Sequence, residues 1–181
     1  MSGTQNLTEW YALRVTYQRE LIAKRRLDEL GVESFVPTRL VRTDVGGVKR
    51  LQRKALVHNY IFVHSDKVTI DNLKRFELPY LRYVMHSVSG VSTIMTVPEP
   101  QMRSFILVTG TEDERLLFLD SQSVDLKLGN RVRVIGGLFE GAEGVLVKVA
   151  GARDRRVVVK IDGVAAVATP KIERELLKII E

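Results

Sequence analysis

Short runs of alternating valine and isoleucine in the last third of the chain constrain its fold more than any other feature. In each run a branched side chain recurs at every second residue, as it does along one face of a strand. The alternating positions are Val132/Val134, Val145/Val147/Val149 and Val157/Val159/Ile161. Glycine-containing segments at 136–137, 151–154 and 162–163 separate the runs. Short strands joined by such turns predict a small β-barrel.

The first part of the chain mixes strand-like and helix-like patterns. Aromatic and β-branched residues predict strands over residues 10–15, 33–37, 59–64 and 81–85. Apolar residues at helical spacing predict helices over residues 19–30, 68–76 and 101–108. The resulting order, β-α-β-β-α-β-α, indicates an α+β layer in which helices cover an antiparallel sheet.

The helical spacing also predicts which side chains face inward. In the first helix we expect the buried side to carry Ile22, Leu27 and Leu30. In the second helix we expect it to carry Val68, Ile70, Leu73 and Phe76.

An acidic, irregular stretch separates the two patterns. Residues 110–125 read GTEDERLLFLDSQSVD, which is typical of a connection between domains. We therefore expect a first domain over residues 7–110, a linker over 111–125 and a β-barrel domain over 126–181. Residues 171–180 (KIERELLKII) are expected to form a helical or irregular tail on that barrel.

Composition excludes several classes of function. The chain has no cysteine, so it has neither disulfides nor thiolate metal sites. The three histidines lack metal-ligand spacing, and there is no nucleophile elbow or phosphate-binding loop. We therefore expect no enzymatic activity and no cofactor. With no signal peptide or membrane span in the sequence, we expect a cytoplasmic monomer without a membrane partner.

Most of the positive charge is concentrated in one segment. The net charge is +6, and residues 39–54 hold six basic residues against the single acid Asp44, which is six minus one, or +5. Gly46 and Gly47 lie midway between the charged arms, as in the tip of a long hairpin or a flexible loop. Such a segment can approach nucleic acid, or it can be a solvated loop.

Four motifs carry a resemblance to a known family. They are WY at 10–11, FVPT at 35–38, NYIFV at 59–63 and LGNRVRVIGGLFEGAEGVLVKV at 128–149. The first three resemble the NGN domain of NusG-family proteins, and the fourth resembles the KOW motif of an SH3-like barrel. The resemblance implies a transcription elongation or antitermination factor that binds the RNA polymerase clamp and modulates pausing or termination. The alternative is an RNA-binding KOW protein of ribosomal type, for which the second half alone would serve.

The resemblance also implies a polymerase-binding patch. Its candidate residues are Phe35, Leu56, Val57 and Tyr60. Tyrosine joins a large contact area to a polar tip, which interfaces favour. Core packing is the competing interpretation, above all for Phe35. The family commonly has Phe-Pro where Val57 and His58 stand, so the shape of the patch differs here.

Basic residues of the first helix and its preceding loop resemble the region with which specialised members, RfaH among them, contact the non-template DNA strand. These residues are Arg14, Arg19, Lys24, Arg25 and Arg26. In the basic segment the candidates for nucleic-acid contact are Lys49, Arg50 and Arg53. The length and charge of that segment resemble RfaH/UpxY-like members. The competing interpretation for both groups is a solvated charged surface.

The KOW-like loop is expected to be shaped by its glycines. We expect Gly141 and Gly144 to permit a tight return of the chain, and Phe139 to fill one end of the barrel. By the resemblance, Ala142 stands where family members carry an aromatic residue that can contact a ribosomal protein or the Rho factor. Without that anchor we expect ribosome or Rho contact to be weak.

Overall fold

The computed structural model describes residues 7–122, 125–127 and 129–180. Leu128, with which the KOW-like stretch begins, lies outside the described residues. The chain divides into two compact units. One contains the described residues up to Val36 together with Val57–Glu99, and the other contains Pro37–Leu56 and the described residues from Pro100 onward.

The described residues form fifteen strands and three α-helices, besides short 3-10 and π-helical turns. The strands are β1 (Glu9–Val15), β2 (Ser34–Phe35), β3 (Thr38–Val45), β4 (Val48–Ala55), β5 (Tyr60–Ser65), β6 (Leu81–Tyr83), β7 (Met85–Val88), β8 (Val91–Ile94), β9 (Thr96–Val97), β10 (Leu117–Leu119), β11 (Asn130–Val134), β12 (Glu143–Lys148), β13 (Arg155–Ile161), β14 (Ala165–Ala168) and β15 (Leu177–Ile179). The helices are α1 (Glu20–Glu29), α2 (Lys67–Asn72) and α3 (Glu99–Gly110). The predicted α+β class is confirmed.

The first unit is built on a five-stranded antiparallel sheet. Its order is β2-β5-β1-β6, and β9 also pairs with β1. The central strand β1 is buried on both faces, because Trp10 and Ala12 alternate with Tyr11 and Leu13 and all four are buried. A strand of this kind needs apolar residues at nearly every position, which the WYALRV stretch supplies.

The inward face of α1 differs from the predicted one. Glu20, Ala23 and Leu27 are buried, whereas Ile22 is 60% exposed and Leu30 is also exposed. The spacing i, i+3, i+7 is helical, but the face is rotated because the Glu20 carboxylate points inward and accepts a hydrogen bond from the backbone N–H of Asn59. The predicted burial of Ile22 and Leu30 was therefore wrong.

The second helix changes geometry halfway. After α2 the chain continues as one π-helical turn over Leu73–Glu77, closed by the Leu78 N–H, which donates to the Leu73 carbonyl at 2.7 Å. Ile70 and Leu73 are buried as predicted, but Val68 and Phe76 are exposed. The wider turn carries Phe76 out of the apolar stripe that regular 3.6-residue spacing predicts.

Asp66 caps α2 and offers a test by pH. Its carboxylate accepts hydrogen bonds from the Thr69 hydroxyl at 2.7 Å and the Thr69 N–H at 3.0 Å. The bond from the hydroxyl is the largest cause that holds the pKa of Asp66 below its ordinary value. A carboxyl with a lowered folded-state pKa stabilises the fold above its unfolded pKa, and this stabilisation is lost as pH falls through the folded pKa.

We expect Thr69→Val to raise the pKa of Asp66 toward its ordinary value, because the variant removes the hydroxyl donor and keeps the side-chain shape. Carboxyl NMR titration measures this directly. Acid unfolding of the variant should also lose part of its dependence on pH below about 4, the range of an ordinary aspartate. An unchanged pKa in the variant would contradict this assignment of the cap.

Two hairpins form separate two-stranded sheets. The predicted long hairpin is formed by β3 and β4, and Gly46 and Gly47 occupy its tip with φ of 63° and 80°. The sequence patterns did not predict the second hairpin, β7–β8. Its tip residues Ser89 and Gly90 are also left-handed, with φ of 50° and 82°. Two consecutive left-handed residues favour tight two-residue hairpin turns.

The second unit contains a six-stranded antiparallel sheet in the order β10-β14-β13-β12-β11-β15. Val147, Val149, Val158, Ala166 and Ala168 form a buried apolar cluster in it. The segment expected to be an irregular linker contributes β10, which pairs with β14. The segment expected to be a helical or irregular tail contributes β15, which pairs with β11. Backbone pairing with a sheet edge outweighs the helical pattern of the tail.

Candidate functional site

Tyr60 and Arg14 lie side by side at one end of the first sheet. They are direct cross-strand partners in the β1–β5 pairing, so their side chains share a face. The guanidinium carbon of Arg14 lies 5.9 Å from the centre of the Tyr60 ring, which favours a cation–π attraction. Tyr60 is half-buried and Arg14 is exposed. The structure therefore brings together one predicted polymerase-binding residue and one predicted nucleic-acid-binding residue.

The other predicted polymerase-binding residues differ in exposure. Phe35 is half-buried and pairs in register with Phe62, which has no exposed surface. Val57 is buried among the core residues of the first unit, so it offers little surface to a partner. Leu56 is half-buried, and its N–H donates to the Pro37 carbonyl at 2.8 Å.

Two of the basic residues of α1 are neutralised by neighbours. Lys24 forms an ion pair with Asp28, and Arg26 forms ion pairs with Glu29 and Glu77. The hydrogen bond to Glu77 is the largest cause that raises the pKa of Arg26. Cations already paired in this way contribute less to the attraction of a polyanion.

Arg19 has aromatic neighbours. Its guanidinium carbon lies 5.5 Å from the Tyr17 ring centre and 5.0 Å from that of Tyr80. Neither Arg19 nor Arg25 forms an ion pair with a carboxylate of the described residues. Tyr17, Tyr80 and the nearby Arg82 were not predicted from the sequence as site residues. The signal that could have found them was two tyrosines next to arginines at the ends of predicted strands.

The β3–β4 hairpin presents its charge to solvent. Lys49, Arg50 and Arg53 are all exposed. Arg53 donates to the Thr38 hydroxyl at 2.8 Å and pairs with Glu112. Lys49 and Arg50 form no ion pair with any carboxylate in the described part of the chain. Two of the three predicted residues are therefore unneutralised cations.

The KOW-like loop adopts the expected tight return. Gly141 has a φ of 90°, which favours glycine. Phe139 is buried, and Ala142 has no exposed surface. In the same unit, the Ser104 hydroxyl accepts a hydrogen bond from the Glu143 N–H at 3.0 Å. Ala142 therefore presents no area to a partner in this conformation.

His64 belongs to a structural contact. Its ring stacks on Trp10 with centres 4.9 Å apart, and its Nδ1 lies 2.7 Å from a Glu33 carboxylate oxygen. Across the described residues, no group of three or more His, Asp or Glu side chains is arranged to hold a metal. No helix among those residues is long and apolar enough to span a membrane.

The unit with the five-stranded sheet and the unit with the six-stranded sheet both present exposed cations, and the first also presents exposed aromatic rings, as the surface of a binding protein does. A family model described as "Transcription termination factor nusG" matches residues 8–106. Because this match covers more than half of the chain, the protein belongs to the NusG family. Members of this family are non-enzymatic transcription factors that act in elongation, termination and antitermination, and they generally bind RNA polymerase.

A solved structure is also similar to the chain. It is described as "Domain interaction in Thermotoga maritima NusG" and shares 19% sequence identity with the chain, with a TM-score of 0.44. The similarity covers 97% of this chain and 98% of that one. No curated protein matches the chain.

Proposed function

We propose that the chain binds the clamp of RNA polymerase through the surface around Tyr60 and modulates pausing or termination. The observation that carries this proposal is the partial exposure of Tyr60 next to the buried centre of β5. Ile61, Phe62 and Val63 follow it and have no exposed surface, whereas Tyr60 is only half-buried. A half-exposed tyrosine beside an arginine has the composition that dominates protein interfaces.

The mechanism is a shift of populations without bond chemistry. A protein that bridges the clamp and the opposite lobe of the polymerase holds the cleft closed, and it disfavours paused states by its higher affinity for the closed form. We place the polymerase-binding domain at residues 7–110, the linker at 111–125 and the KOW domain at 126–181. The family match over residues 8–106 supports the first of these ranges. We place the protein in the cytoplasm.

The nucleic acid of the transcription bubble is the second proposed partner. The cations best suited to contact it form no ion pair with a carboxylate of the described residues; they are Arg14, Arg19 and Arg25 on the first unit and Lys49 and Arg50 on the hairpin. Phosphate contacts of this kind give affinity that falls as salt rises. The ion-paired Lys24 and Arg26 contribute less.

The test is the affinity of the full chain for RNA polymerase core enzyme. We expect Tyr60→Ala to weaken binding by about tenfold or more, the loss typical of a central interface tyrosine. The melting temperature should change little, because the ring is half-exposed. Met85→Ala, which removes an exposed apolar side chain from β7, is the matched control and should leave affinity unchanged.

Unchanged affinity of a folded Tyr60→Ala variant would exclude this surface as the binding site. A large loss of stability would instead make Tyr60 a core residue. Retention of the wild-type chain on ribosomes in place of polymerase would favour the RNA-binding alternative.

A further inference from the structure

A buried carboxylate lies at the start of α1. Glu20 is only 3% exposed, and glutamate is almost never fully buried in proteins unless it is paired. Its carboxylate accepts a hydrogen bond from the backbone N–H of Asn59, which is 39 positions further along the chain. Burying an ionised group costs free energy that an apolar side chain of similar size does not. The need to fill the core therefore does not explain a carboxylate at this position.

The backbone of Asn59 is held at both its N–H and its carbonyl. The N–H donates to Glu20, and the carbonyl accepts from the Val15 N–H at 2.8 Å. Between these two bonds Asn59 has a φ of 65°, a left-handed conformation that asparagine tolerates better than most residues do. Asn59 is itself exposed, so water can satisfy its N–H if the bond to Glu20 is lost. The two bonds therefore fix a turn that would otherwise be free to move.

This turn controls the residue that follows it. Tyr60 comes directly after Asn59 and is the first residue of β5. The register of β1 with β5 ends at the pair formed by Arg14 and Tyr60. The direction in which the half-exposed Tyr60 ring leaves the strand therefore depends on the turn at Asn59. The bond from Asn59 to Glu20 thus acts on the ring that lies beside the Arg14 guanidinium.

We propose that Glu20 is a positioning residue for polymerase binding. By holding the Asn59 N–H, its carboxylate keeps the Tyr60 ring beside Arg14 in the orientation that the polymerase contacts, and Glu20 itself stays buried and touches no partner. When the orientation competent to bind is populated only in part, the apparent affinity falls by that fraction. The inference rests on the polymerase-binding surface proposed above and adds the residue that preorganises it.

The test compares variants of the full chain by their affinity for RNA polymerase core enzyme. Glu20→Leu removes the acceptor and should weaken binding by about 3- to 10-fold, the effect of one hydrogen bond. Glu20→Gln keeps the shape and one oxygen acceptor, so it should bind as the wild type does. The matched control is Glu29→Leu, which removes an exposed carboxylate from the same helix and should leave the affinity unchanged.

A double-mutant cycle separates positioning from an independent effect. Because Glu20 acts through Tyr60, Glu20→Leu should cause no further loss of affinity in a chain that already carries Tyr60→Ala. Asn59→Gly tests whether the exposed Asn59 side chain is itself the contact. Glycine suits the left-handed backbone and keeps both backbone hydrogen bonds, so this variant should bind as the wild type does.

The Asn59 amide gives a readout that does not depend on polymerase. In NMR spectra of the free chain, Glu20→Leu should shift the Asn59 amide proton and speed its hydrogen exchange. The amides of Ile61, Phe62 and Val63 should stay protected, because the centre of β5 is buried. The melting temperature should change little, since the variant removes the cost of a buried charge and leaves an N–H that water can reach.

The outcomes separate this inference from the proposed function. If Tyr60→Ala weakens binding and Glu20→Leu does not, the positioning role is overturned and the polymerase-binding surface stands. Additive losses in the cycle, or a Glu20→Gln variant as weak as Glu20→Leu, also overturn it. A Glu20→Leu variant that fails to fold overturns it as well, because Glu20 is then required by the fold. If Tyr60→Ala binds as the wild type does, the proposed surface fails and the positioning role fails with it.

Discussion

Replacing Phe62 by alanine is expected to destabilise the first unit by about 3–5 kcal/mol, the cost typical of truncating a buried phenylalanine. Phe62 has no exposed surface, and its position in β5 is flanked in register by Ala12 on β1 and Phe35 on β2. The small Ala12 side chain cannot fill the volume that the lost ring leaves. The remaining cavity adds to the lost burial of apolar surface.

Urea denaturation followed by the fluorescence of Trp10, the only tryptophan, measures this loss. The matched control is Phe35→Ala, which removes the same ring from a half-buried position directly opposite and should cost clearly less. Equal losses of unfolding free energy in the two variants would show that the exposed fraction of a side chain in this sheet does not distinguish core residues from surface residues. The interpretation of Tyr60 as an interface residue would then lose its basis.

Gly144→Ala is expected to destabilise the second unit by about 1–3 kcal/mol or more, the range for overpacking a well-filled core. A Cβ added at Gly144 would lie 2.6 Å from the Val158 carbonyl oxygen and 2.8 Å from a methyl carbon of Val157. The first of these atoms is backbone, so β12 and β13 would have to separate. Gly144 does not have a positive φ, so its backbone conformation does not require glycine. The close approach of the two strands does.

Thermal unfolding followed by circular dichroism should show a lower melting temperature for this variant, by roughly 2–4 °C for each kcal/mol in a chain of this size. Gly110→Ala is the matched control, because a Cβ there meets nothing within 4 Å. That change lies at the end of α3 and should be neutral or slightly stabilising. A melting temperature as high as that of the wild type in Gly144→Ala would mean that β12 and β13 can move apart at little cost.

Local sequence patterns were sufficient to predict the elements that are specified by their own residues and near neighbours. The WYALRV and NYIFV runs predicted β1 and β5, and the glycine pair at the tip predicted the β3–β4 hairpin, because strand composition and turn chemistry act between near neighbours. The missed elements depend on distant partners. Leu117–Leu119 is a strand because it pairs with β14, and Leu177–Ile179 is a strand because it pairs with β11.

The candidate site also combines features that local sequence predicts with features that depend on distant parts of the chain. The residues predicted for contact could be named from motifs and charge, but their availability depends on neighbours far away in the sequence. Arg26 is neutralised by Glu77, which is 51 residues later in the chain. Val57 and Ala142 are removed from the surface by burial.

The sequence by itself determined the α+β class, the all-β character of the last third and the absence of any thiol chemistry, since these follow from side-chain periodicity and composition. Only the tertiary structure decided which face of α1 is buried, which cations are unpaired, and that Arg14, Arg82, Arg19 and two tyrosines meet at one sheet edge. The physical reason is register: the pairing of β1 with β6 joins residues almost seventy positions apart, and no local pattern encodes that pairing.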